Sequence, residues 1–108
     1  MINKGDVVRF YGGVVATYEG NNRTLVPITF DKRKLGIVIG YSFLRTGKLE
    51  CDSDNGYAWS YLYLPKDHKV YLIEPFERAN RYLKPYRVFA ENIEVIMPFN
   101  QAQLEVFE

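Results

Sequence analysis

Leu35-Gly36-Ile37-Val38-Ile39-Gly40-Tyr41-Ser42-Phe43-Leu44 is the most apolar run in this chain. Glycine in a helix interior costs about 1 kcal/mol relative to alanine, and β-branched side chains lose rotamer freedom there. A run that mixes Gly36 and Gly40 with Ile37, Val38 and Ile39 therefore reads as a strand, the central one. Towards the N-terminus, Asp6-Val7-Val8-Arg9-Phe10-Tyr11 reads as the first strand and Gly12-Gly13 as a tight turn. Residues 14–19 return, Gly20-Asn21-Asn22 turns again, and residues 25–30 form a third strand. Pro27 has no N–H to give to a ladder, which puts that strand at an edge. A basic turn, Asp31-Lys32-Arg33-Lys34, leads into the central run.

Towards the C-terminus, Thr46-Gly47 reads as a turn into residues 49–52, and Asp54-Asn55-Gly56 as a turn into residues 57–64, which Pro65 ends. Residues 69–74 are a further strand. The one helical segment predicted in the body is 76–83, where Glu77 and Arg81 are spaced as an i,i+4 pair and Pro85 blocks continuation. Short strands at 86–89 and 93–96 flank Ala90-Glu91-Asn92. Residues 97–108 form a tail, its stretch 101–107 either helix or strand, with enough apolar groups to dock on the same domain.

The composition agrees with a β-rich chain: nine Tyr, seven Phe and one Trp stand among many Val and Ile residues, which fit a pleated surface. At 108 residues one domain is expected, with its body at 1–96. No apolar stretch approaches a membrane span, the N-terminus has no signal-peptide pattern, and Cys51 has no second cysteine to pair with. These features predict a cytoplasmic protein that does not enter a membrane. Net charge is only +1, but residues 1–48 carry eight basic and three acidic side chains, whereas residues 91–108 carry four Glu and no Lys or Arg. A basic body thus precedes an acidic tail.

Two pieces of the chain resemble the SH3-like small β-barrel, including its KOW-type and other bacterial or phage relatives. Gly5-Asp6-Val7-Val8-Arg9-Phe10, followed after a long hairpin by Leu35-Gly36-Ile37-Val38-Ile39-Gly40, looks like the first two core strands of that fold. Tyr86-Arg87-Val88-Phe89-Ala90-Glu91-Asn92-Ile93-Glu94-Val95-Ile96 looks like its penultimate strand, its 3₁₀ turn and its closing strand. The resemblance implies a mainly β barrel with insertions at 45–68 and 75–85, and by analogy a binding module.

Catalytic chemistry is not apparent in the residues. Metal sites need several convergent ligands, and the chain has one His, His68, and one Cys, Cys51, so no metal or other cofactor is expected. Asp52-Ser53-Asp54-Asn55-Gly56 departs from a calcium loop, with Gly at the fifth place and Tyr63 at the twelfth, and reads as a turn. A Cys51–His68 nucleophile pair would need the two to meet in space, and Glu91 with Glu94 would need a cleft. No phosphate-binding glycine motif occurs. The chain is therefore expected to be non-enzymatic.

Binding has two candidate sites. In Tyr57-Ala58-Trp59-Ser60-Tyr61-Leu62-Tyr63-Leu64 strand alternation puts Tyr57, Trp59, Tyr61 and Tyr63 on one face, a wholly aromatic one. That face is either part of the core or a platform for a protein or peptide, and the second use is the expected function. The alternative is nucleic acid, held by the basic and aromatic residues Arg78, Arg81, Tyr82, Lys84 and Arg87, with Lys32-Arg33-Lys34 as a further contribution. Homodimerisation through the tail is a third arrangement the sequence allows.

Overall fold

The computed structural model describes residues 1–54, 56–77 and 84–99. Five strands form one antiparallel sheet: β1 (Val7–Glu19), β2 (Asn22–Asp54), β3 (Tyr57–Pro75), β4 (Tyr86–Val88) and β5 (Ile93–Met97), in the spatial order β4-β3-β2-β1-β5. A 3₁₀ turn at Ala90–Asn92 connects the two strands at the opposite edges. No helix among the described residues is long and apolar enough to cross a membrane. The helix expected at 76–83 lies outside the described residues except for Phe76 and Glu77, which form a bend.

One buried cluster draws on four strands: Val8 and Phe10 from β1, Val38 from β2, Ile73 from β3 and Val88 from β4. Ile93 and Val95 of β5 pack against it. In a flat sheet β4 and β5 would stand about 19 Å apart, four spacings of roughly 4.8 Å. Their packing on a common cluster requires the sheet to curl until its edges approach. It remains open, because β4 bonds only to β3 and β5 only to β1. Asp6, buried at the entry to β1, ties the termini to this body: its carboxylate accepts hydrogen bonds from the backbone N–H of Asn3 at 2.7 Å and of Phe99 at 2.8 Å. The predicted tail is described only as far as Phe99, and Met97 belongs to β5, where it pairs with Val7.

Several predicted turns are corners or bulges inside much longer strands. Gly12-Gly13 lies within β1, buried, and faces Thr29 and Ile28 of β2. Glycine is needed there for close approach: a Cβ on Gly12 would lie 2.8 Å from the Ile28 carbonyl oxygen, and one on Gly13 would lie 3.2 Å from that of Arg87. Just before it, Phe10 pairs with Lys34 and Gly12 with Thr29, so Tyr11 alone opposes Phe30, Asp31, Lys32 and Arg33. The unequal lengths bend the ribbon into a corner, and the basic segment read as a turn forms its outer side.

Beyond the corner the distal half of the β1–β2 hairpin lies over β2 and β3. Val14 joins Leu44 and Val70 in a second buried cluster, flanked by Ala16 and Leu25. The Asn21 carbonyl at the hairpin tip accepts a hydrogen bond from the Leu49 N–H at 2.6 Å. Residues 22–29 of β2 bond only to β1, so Pro27 faces an open edge, as its missing N–H requires.

The central run is covered on one face only. Gly36, Val38 and Leu44 are buried, whereas Leu35, Ile39, Tyr41 and Phe43 are exposed. Thr46-Gly47 is likewise no turn, and Pro65 ends nothing: the β2–β3 ladder runs from Gly36↔Pro75 to Asp54↔Tyr57, interrupted by irregularities at Val38/Gly40 and Thr46/Lys48.

Phe10 is fully buried, with ring centroids 5.6 Å from both Phe30 at the corner and Tyr86 in β4. Phe10→Ala is therefore expected to cost about 3–5 kcal/mol, most of the stability of a small domain, read as a lowered midpoint in denaturant unfolding.

Candidate functional site

The Tyr57 to Tyr63 row lies on an arm that leaves the body. Past the Thr46/Lys48 irregularity, β2 and β3 continue as a two-stranded ribbon from Lys48↔Tyr63 to Asp54↔Tyr57. At its base Leu64 holds a left-handed φ of 49°, a rare conformation for a residue with a branched side chain. Just inside this point Arg45 pairs with Asp67, and its Nε donates to the Asp67 carboxylate at 2.8 Å. Thr46 Oγ1 lies 3.0 Å from His68 Nε2. Apart from the Asn21 contact to Leu49, no described residue from another part of the chain bonds to the arm's backbone.

Among the described residues nothing covers the aromatic row. Tyr57 is 76% exposed, Trp59 46%, Tyr61 46% and Tyr63 52%, and Ala58 and Ser60 on the reverse face are exposed as well. The four rings extend over about 20 Å of strand, at roughly 3.4 Å per residue. Directly opposite residues of an antiparallel pair share a face. Asp54 therefore stands beside Tyr57, Asp52 beside Trp59, Glu50 beside Tyr61 and Lys48 beside Tyr63. Lys48 Nζ is 3.4 Å from Glu50, and Asp52 and Asp54 have no ion-pair partner among the described residues. The aromatic face is thus an acidic face too. The alternation Glu50, Asp52, Asp54 is visible in the sequence, but only the strand register brings it beside the rings.

The alternative basic segment is described only in part. Arg78, Arg81 and Tyr82 lie outside the described residues, Lys84 is exposed, and Arg87 is half-buried with its Nε buried and unbonded. The basic residues of the corner, the further contribution expected for that site, are placed on the surface. Arg33 sits over the Tyr11 ring at 4.8 Å and Lys34 over Phe30 at 5.3 Å. A second exposed aromatic group, missed in the sequence because it falls inside the central run, comprises Tyr41 and Phe43 in an edge-to-face pair at 5.9 Å, with Lys69 over Tyr41 at 4.7 Å.

Among the described residues no group of three or more His, Cys, Asp or Glu is placed to hold a metal ion. Cys51 pairs with Ser60, and His68 with Leu44. Ser60 and His68 are about eight residues apart on β3, on the order of 25 Å, so Cys51 and His68 do not meet. Comparison with protein-family models, curated proteins and solved structures finds no match.

The base of the arm carries a titration that can be tested. The hydrogen bond and charge of Arg45 hold the Asp67 carboxyl below its ordinary value. A carboxyl whose pKa is lowered by folding stabilises the fold above its unfolded pKa and loses that contribution as pH falls through the folded one. Arg45→Leu should return Asp67 towards the ordinary carboxylate range in an NMR titration, and the ion pair's contribution should be complete above that range and fade as pH falls below it.

Proposed function

We propose that this chain is a non-enzymatic protein-interaction or assembly module, an SH3-like small barrel whose inserted arm presents Tyr57, Trp59, Tyr61 and Tyr63 to a protein partner. One observation carries this reading: an exposed aromatic row lies on a ribbon that has no third strand among the described residues. Isolated two-stranded ribbons are at best marginally stable in water, and contiguous exposed apolar surface marks interaction sites. A partner covering the row would supply the burial that the arm lacks.

The barrel assignment is supported by the strand order, in which the last strand lies beside the first, by the 3₁₀ turn between β4 and β5, and by the curl that brings the sheet's edges towards one core. Glu50, Asp52 and Asp54 beside the rings favour a partner with Lys or Arg side chains, which can pair with carboxylates and lie on aromatic faces. The same carboxylates would repel nucleic-acid phosphates, so a nucleic-acid role would have to use the basic residues elsewhere.

Trp59 reports on the proposal. Its emission should shift on titration with a Lys- and Arg-rich peptide, less so at high salt, and not with an acidic peptide of equal length. Trp59→Ala should abolish that binding in calorimetry while changing unfolding stability by no more than about 0.5 kcal/mol, as for a surface position. Silence towards both peptides overturns the reading, and binding of a single-stranded oligonucleotide alone would replace it with the nucleic-acid alternative.

A further inference from the structure

We propose that the occupant of the arm is a second copy of this chain, whose basic corner receives the aromatic and acidic face in a head-to-tail contact. The proposal rests on the reading that the arm binds protein, and it adds the partner's identity. The corner has the chemistry the arm lacks. Lys32, Arg33 and Lys34 line a recess of about 260 Å³ together with Leu35, Phe76 and Glu77. Phe76 is 57% and Leu35 45% exposed, so apolar surface lies beside the cations. Arg33 lies over the Tyr11 ring at 4.8 Å and is exposed, so its guanidinium is accessible to a ring of the arm. The corner, with three cations and Glu77 beside exposed apolar side chains, thus complements the arm, where Asp52 and Asp54 stand beside the rings and Glu50 is paired with Lys48.

The two surfaces cannot meet within one chain. Gly36, next to the corner, and Asp54, at the arm's end, belong to the same strand and are about 18 residues apart, up to roughly 60 Å at 3.3 Å per residue. That is nearly the full 65 Å length of the molecule. Two copies lying antiparallel satisfy both contacts at once and close as a two-fold dimer, whereas a single contact per pair leaves one free arm and one free corner and continues as a larger ring or a filament.

Sedimentation velocity of the full chain at low and high salt tests this. The chain should associate, as a dimer or larger, at low salt and dissociate as salt rises. Its Trp59 emission should change with chain concentration in step with the association. Asp52→Lys with Asp54→Lys, and separately Lys32→Glu with Arg33→Glu, should each weaken association by roughly tenfold or more, because like charges then face one another. A chain carrying all four reversals should associate again, which a merely structural defect would not allow. A chain that stays monomeric at low salt up to millimolar concentration overturns the proposal, as does association that survives the corner reversal, since the arms would then be meeting each other. If Trp59 still responds to the basic peptide in a monomeric chain, only the second copy is wrong; if it responds to neither, the protein-binding reading fails with it.

Discussion

The Phe10 ring, without contact to solvent, touches the two features that make the sheet more than a flat ribbon. It meets both Phe30, from the outer side of the corner, and Tyr86, from the far edge of the sheet. Phe30 and Tyr86 themselves stand 5.0 Å apart, so three rings close a triangle across strands that are not all neighbours in the ladder. Hydrogen bonding alone fixes the order of the strands but not their curvature. Burial of this aromatic group, with Val8, Val38, Ile73 and Val88, rolls the sheet around one core. The corner then directs the remaining hairpin over β2 and β3, where Val14, Leu44 and Val70 form a second core. The arm begins where that cover ends.

Much of this was legible in residue order. Alternation in residues 7–10, the apolar run from Leu35, and the strands flanking Ala90-Glu91-Asn92 identify the segments that make the body. The turns were less legible. Gly12-Gly13 and Thr46-Gly47 look like hairpin turns because glycine serves tight turns and close backbone approach equally well, and only tertiary packing separates the two uses. One consequence is that segments which read as several short strands are continuous, with β2 covering 33 residues.

The aromatic row shows a different limit. Alternation placed Tyr57, Trp59, Tyr61 and Tyr63 on one face correctly, but it could not say whether that face was buried. The ladder from Lys48↔Tyr63 to Asp54↔Tyr57 puts carboxylates beside the rings, a cross-strand relation absent from local sequence. The same charges have a second use. Both edges of the arm carry unpaired backbone groups, the usual template for unwanted strand addition, and side chains such as Asp52, Asp54 and Lys48 are the means by which natural sheets discourage it.

The pairing of β1 with β5 also governs the time course of folding during synthesis. Val8 pairs with Val95, so the first strand cannot complete its ladder until residues 93–97 have left the ribosome. The arm's hairpin, whose partners are close in sequence, forms without waiting for that step. Local ribbons come first and the assembled body last, and in the interval the apolar residues of β1 lack the cover that Ile93 and Val95 supply.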